Sequence, residues 1–204
     1  MKILDLTHTF TETMPVFPGD SSPSLKGETD AEMDIVHFRV DTGMHIGTHM
    51  DGPLHMIRGA RKLSDMPIER FIAKGHVLNA EGKNEIGVEL LEGKQIEKGD
   101  CILIHTGWDM KFRTPAFYEN YPDLTEAFAQ KLVELEVKFV GLDTPSPDKA
   151  PYAIHRILLK KEILIIESMC NLERLLDVEN FEVIALPTKF DAEAAPVRVI
   201  ARII

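Results

Sequence analysis

A chain of 204 residues with 44% apolar and 27% charged side chains has the make-up of a folded globular protein with one sizeable core, and residues 1–204 read as a single domain. A formal net charge of −10 and a pI near 5.3 oppose nonspecific nucleic-acid binding, which needs clustered lysine and arginine. No apolar run is long enough to cross a bilayer and Met1-Lys2-Ile3-Leu4-Asp5-Leu6 has no apolar signal core, so the expectation is a cytoplasmic protein with neither nucleic acid nor membrane as partner. Cys101 and Cys170 lack metal-type spacing and read as reduced core residues.

In chain order, Lys2 to Leu6 reads as a short strand, followed by a loop rich in proline, glycine and serine from Pro15 to about Gly27. Ile35 to Val40 alternates as a second strand and delivers the chain to a histidine-rich segment. His76 to Ala80 and Cys101 to His105 are further strands, the latter apolar enough to be buried on both faces. Gly87 to Glu92 reads as a short helix. The clearest helix spans Leu124 to Val137, with apolar residues at intervals of three and four and Thr125 as its cap. Phe139 to Leu142 is a strand; the loop Asp143 to Pro151, a helix from Tyr152 to Leu159 and a strand from Ile163 to Glu167 follow. Phe181 to Leu186 and Val197 to Ile203 are the last strands. Many strands with few helices predict an α/β fold whose sheet is mixed and partly closed, barrel-like, and flanked by helices.

The chemistry concentrates in Met44-His45-Ile46-Gly47-Thr48-His49-Met50-Asp51-Gly52-Pro53-Leu54-His55. Three histidines and an aspartate within eleven residues suggest a metal site, because imidazole and carboxylate are the usual ligands of zinc, manganese or iron. Gly47 and Thr48 are poor helix residues, and Gly47, Gly52 and Pro53 allow a rigid turn that gathers the ligands. Further ligands must come from elsewhere. His155, on the predicted helix, and Glu167, a carboxylate closing an apolar strand, are the candidates. His8, His37, His76 and His105 are taken as structural, and Trp108 as packing on the rim of the core. No Gly-x-Ser-x-Gly nucleophile motif is present, which favours direct attack by water.

The uninterrupted pattern His-x-Gly-Thr-His-x-Asp-x-Pro-x-His from His45 to His55 resembles the cyclase-like metal-dependent hydrolases, whose best-known members are bacterial kynurenine formamidases. The resemblance extends to Asp5-Leu6-Thr7, Pro15-Val16-Phe17-Pro18-Gly19-Asp20, Thr106-Gly107-Trp108 and Leu142-Asp143-Thr144-Pro145-Ser146. It implies a barrel-like core of the swivelling β/β/α type and a homo-oligomer, dimer or tetramer. It also implies two divalent ions per subunit, zinc with manganese as the alternative. His45, His49 and Asp51 would hold one ion, and Asp51, His155 and Glu167 the other. His55 would be the catalytic acid/base and Phe17 a substrate contact. The implied reaction is hydrolysis of a small aromatic amide, N-formyl-L-kynurenine, to kynurenine and formate. Phe17 stands where the formamidases usually carry tryptophan, and the stretch from Asp148 to His155 is short for that group. An isatin hydrolase-like activity on cyclic amides, a non-catalytic metal-binding module and an acid-surfaced interaction protein are the alternatives.

Overall fold

The computed structural model describes residues 1–204. In chain order its elements are β1 (Lys2–Asp5), β2 (Ser24–Asp30), β3 (Ile35–Asp41), β4 (His49–Asp51), β5 (Ile72–Asn79), β6 (Glu85–Ile86), β7 (Cys101–His105), β8 (Asp123–Leu124), α1 (Glu126–Glu134), β9 (Phe139–Leu142), α2 (Ala153–Leu159), β10 (Leu164–Glu167), β11 (Phe181–Pro187) and β12 (Ala194–Ile203). Single 3-10 turns, Pro53–His55 among them, lie between these elements.

The main sheet runs β1-β12-β11-β5-β7-β9-β10-β4, and a further pairing of β4 with β12 closes the seven strands from β12 to β4 into a barrel. The four strands β5, β7, β9 and β10 are parallel, and β11, β12 and β4 complete the ring antiparallel. The closure is fuller than the partly closed sheet expected from the sequence. Its physical cause is the length of β12, ten residues. That is enough for Ala194–Pro196 to pair with β4 while Val197–Ile203 pairs with β11. Closure leaves no unpaired edge on these strands.

Alternation along the parallel strands divides the core in two. Cys101, Leu103, Phe139, Leu164 and Ile166 face the barrel interior with Met50, Val183 and Val199. Ile102, Ile104, Val140 and Ile165 face outward against Phe128, Ala129 and Leu132 of α1 and Ile154, Leu158 and Leu159 of α2. Cys101 and Cys170 are buried and unpaired, as expected.

Several boundaries differ from the sequence reading. The helix is shorter, because Leu124 belongs to β8 and the Thr125 side chain accepts the Phe128 N–H, so the helix proper begins at Glu126. The segment from Pro15 to Gly27 is not loop throughout: β2 begins at Ser24 and pairs with β3 over seven residues. Its polar composition hides it, since only Leu25 is a large apolar residue in β2. This hairpin is a separate two-stranded sheet. One face carries Leu25, Val36, Phe38 and Val40, and β3 is exposed along its whole length.

A candidate metal centre at the rim of the barrel

Four side chains rise from regular elements into one place. His49 and Asp51 are the two ends of β4, Glu167 ends β10, and His155 lies in the first turn of α2. Because β4 and β10 pair antiparallel with Glu167 opposite His49, the sheet itself fixes those two residues. One strand-end histidine and two strand-end carboxylates thus come together through backbone hydrogen bonds, and the helix brings in the second histidine, with no demand on loop order. His45 enters from the turn before β4. Gly47 in that turn has a φ of +64°, and a Cβ there would collide with the Met14 side chain, so the close turn requires glycine. Thr48 ties the turn down by donating its hydroxyl to the Ser168 carbonyl at 2.6 Å and accepting the His8 N–H at 3.0 Å.

The distances within the centre are informative. The His49 Nε2 lies 3.5 Å from Asp51 Oδ1 and 3.3 Å from Glu167 Oε2, while the His155 Nε2 lies 3.6 Å from Asp51 Oδ2 and 3.2 Å from Glu167 Oε1. Three of these separations exceed a good hydrogen bond and the fourth is at its upper limit, and together they lie close to the spacing of about 3.3–3.6 Å between donors that share a tetrahedral ion at about 2.0–2.2 Å. Both oxygens of Asp51 and the Nε2 of His49 are buried without a hydrogen-bond partner. Buried polar atoms are normally satisfied, and three converging orphans of complementary donor type fit a divalent cation. Only His45 departs from this spacing, its Nδ1 standing at 2.9 Å from Asp51 Oδ1.

Each of these three histidines also has its outer nitrogen held. Nδ1 of His49 meets the Gly47 carbonyl at 2.8 Å, Nδ1 of His155 meets Asp148 Oδ1 at 2.5 Å, and Nε2 of His45 lies 3.4 Å from Glu193 Oε1. An acceptor on the outer nitrogen keeps the proton there and turns the inner lone pair toward the centre, the usual support of a metal-ligating imidazole.

The electrostatics agree. Burial pushes the imidazolium of His45 down, but the close contact and charge of Asp51 with the charges of Glu167 and Glu193 outweigh it and bring the pKa up to about 9. For His155 burial is likewise outweighed, by Asp148, Asp51 and Glu167, and the value rises to about 12. Asp51 and Glu167 stay ionised below the usual carboxylate range, burial notwithstanding, because the surrounding histidines hold their charges. The cluster is therefore built to accumulate positive charge, which protons supply when nothing else does.

His55 closes the 3-10 turn that follows β4, with its ring centroid 4.2 Å from that of His45 and 5.8 Å from that of His155. Its ligand atoms come within 4.8 Å of those of His45 and Asp51. It differs from the other three in forming no side-chain hydrogen bond or ion pair shorter than 4.0 Å, and burial lowers its pKa, so it is a neutral, unrestrained imidazole beside the cluster.

The centre forms the base of a cavity of about 270 Å³ lined also by Phe17, Asp20, Met56, Tyr118, Ser146 and Tyr152. Phe17 stands edge-on to Tyr118 with ring centroids 5.7 Å apart. All six residues singled out in the sequence, together with Phe17, thus line one cavity. Trp108 is outside it, donating its indole N–H to the Phe117 carbonyl at 2.7 Å. The remaining histidines also lie elsewhere: His76 is paired with Asp100 at 2.7 Å, His8 is stacked on Phe112, His105 stands 3.4 Å from Asp143, and His37 is exposed on the hairpin.

The sequence reading overlooked Asp148, Glu193, Tyr118 and Tyr152. Asp148 carried one signal, as the acidic residue of Ser146-Pro147-Asp148 ahead of a helix: its Oδ2 accepts the Ile154 N–H at 2.7 Å near the start of α2. Nothing local marks Glu193, which meets its histidine from the far end of the chain.

Residues 4–149 match the family model described as "Putative cyclase". The chain belongs to the Cyclase family. Among its relatives, a protein from Bacillus cereus named kynurenine formamidase is 27% identical, covering 98% of this chain and 96% of its own length. A solved structure described as a "potential metal-dependent hydrolase with cyclase activity" is 27% identical, with a TM-score of 0.80 and 98% and 96% of the two chains covered. Isatin hydrolase A from Ralstonia solanacearum superposes with a TM-score of 0.88 at 22% identity, over 98% of this chain and 91% of its own, a likeness of fold.

Proposed function

We propose that this member of the Cyclase family is a metal-dependent hydrolase of aromatic amides whose substrate is N-formyl-L-kynurenine and whose products are kynurenine and formate. The observation that carries the metal is the group of unpartnered buried atoms on Asp51 and His49, at donor spacing from His155 and Glu167. Asp51 presents Oδ1 to His45 and His49 and Oδ2 to His155, and Glu167 presents Oε2 to His49 and Oε1 to His155. One ion would be held by His45, His49 and Asp51, and a second by Asp51, His155 and Glu167, with zinc the preferred metal. When bound, the ions supply Lewis acidity and a water acidic enough to act as nucleophile near neutral pH.

The chain's own residues do the rest. His55 is neutral at physiological pH because burial disfavours its charged form. It takes the proton of the attacking water as the C–O bond forms, and returns it to the aniline nitrogen as the C–N bond breaks. Having no acceptor on either ring nitrogen, it is free to do both. Phe17 and Tyr118 offer aromatic surface to the substrate ring, consistent with a small aromatic amide. The exposed apolar face of the β2–β3 hairpin supports the homo-oligomer implied by the family resemblance, since an isolated two-stranded hairpin is marginal in water.

The test is turnover by the zinc-loaded protein of N-formyl-L-kynurenine and, in parallel, of isatin. Kynurenine formation that is lost on chelation and restored by zinc supports the reading. Chelator-sensitive opening of isatin alone keeps the hydrolase and replaces the substrate, whereas turnover that survives complete metal removal contradicts the mechanism.

A further inference from the structure

Of the three histidines of the cluster, His49 and His155 are buried with close acceptors on Nδ1, the Gly47 carbonyl at 2.8 Å in the first case, and His45 is not supported alike. His155 is 3% exposed, and its Nδ1 meets Asp148, itself buried, at 2.5 Å. Asp148 is doubly committed. Its other oxygen accepts the Ile154 N–H at 2.7 Å, its backbone carbonyl accepts the Tyr121 hydroxyl at 3.1 Å, and its own N–H is 3.4 Å from Ser146 Oγ. The carboxylate therefore cannot swing away from the imidazole without giving up the start of α2. On the opposite side His45 is 27% exposed, and its outer nitrogen is 3.4 Å from Glu193, whose side chain is 37% exposed. That contact is long, open to water and screened.

From this asymmetry, and resting on the metal-dependent reading above, we infer that Asp148 is the positioning residue of His155 and makes the centre unequal, with a tighter ion on the Asp51–His155–Glu167 side and an exchangeable one on the His45 side. A carboxylate on the outer nitrogen fixes ring orientation and raises the basicity of the inner one, and removing such a partner costs about 10–100-fold in metal affinity. The buried, short and doubly anchored contact supplies this support in full. The exposed contact to Glu193 supplies little. An unequal centre would let activity follow the supply of free metal through occupancy of the outer position while the inner ion stays in place.

The inference is tested by titrating zinc against a chromophoric chelator in the wild-type protein, Asp148→Asn and Glu193→Gln. Asparagine keeps an oxygen for the Ile154 N–H, and thermal melting of the metal-free variant reports whether α2 stays in place. The wild type is expected to bind zinc in two resolved steps. Asp148→Asn should weaken the tighter step about 10–100-fold, and Glu193→Gln should leave that step unchanged. Two equal steps, a single ion per chain, or a tight step insensitive to Asp148→Asn would overturn the inference. A measurement on the zinc-loaded wild type needs no variant: long-range proton–nitrogen NMR should show the His155 proton on Nδ1 and none on Nε2, and a protonated Nε2 would equally overturn it. A wild type that binds no zinc at all would instead remove the metal-dependent reading itself, so the two failures are distinguishable.

Discussion

The floor and the mouth of the cavity are built differently. His49, Asp51, Glu167 and His155 sit on strands and a helix, buried, with positions set by the β4–β10 pairing and the packing of α2. His45, His55 and Phe17 sit on turns and loops and are only partly buried. A rigid floor fixes the charges that polarise a substrate, while looser walls decide which substrate fits and how a proton travels.

The sharpest way to separate the two regions is His55→Ala. It should lower kcat by about 10²–10⁴-fold, the range of general acid–base catalysis, while metal content measured by elemental analysis stays at the wild-type level. Loss of an ion would move His55 from the walls into the ligand set.

Acid should act on the ligand histidines of both regions, His45 at the mouth and His155 in the floor. The metal-free histidines have raised pKa values, about 9 for His45 and about 12 for His155, so at neutral pH they carry protons that an ion must displace. Metal affinity should therefore rise with pH, by about tenfold per unit for each proton displaced, with a shallower slope above about 9, where His45 is itself deprotonated and His155 still carries its proton. Chelator competition between pH 6 and 9 checks the slope. For the metal-free protein the sign is opposite, because a histidine whose folded pKa is raised stabilises below its unfolded value and loses that contribution as pH climbs through the folded one. Its melting temperature should fall as pH rises from about 6.5 to about 9 on account of His45.

Phe17→Ala probes the walls. Loss of an aromatic contact worth about 0.5–1.5 kcal/mol should raise KM by roughly 2–13-fold with little change in kcat, read from steady-state kinetics. Smallest of all, Thr125→Ala removes the cap of α1, at a residue that does not line the cavity. It should cost about 1 kcal/mol and lower Tm by about 2–4 °C in a chain of this size, with kcat and metal content unchanged.

The difference between floor and mouth also governs what the sequence made legible. The motif from His45 to His55 is local, so its residue types and spacing could be read directly. β7 and β9 were legible because strands buried on both faces appear as unbroken apolar runs. β4 was not, since three residues carry no periodicity and its strand character comes from pairing with β10 and β12, each more than a hundred residues away. The same distance hid Glu193. Asp148 was overlooked for a different reason: its helix-start position could be recognised, whereas its contact with His155 depends on where the ring turns after folding.

The central claim is that Asp51 serves both sides of one metal centre, and the most direct test is the zinc content of the purified wild type and of Asp51→Ala after equilibration with the metal. We predict two ions per chain in the wild type and none retained by the variant, with the far-ultraviolet circular dichroism of the two metal-free proteins alike. A variant that keeps its zinc, or a wild type that binds none, would contradict the account.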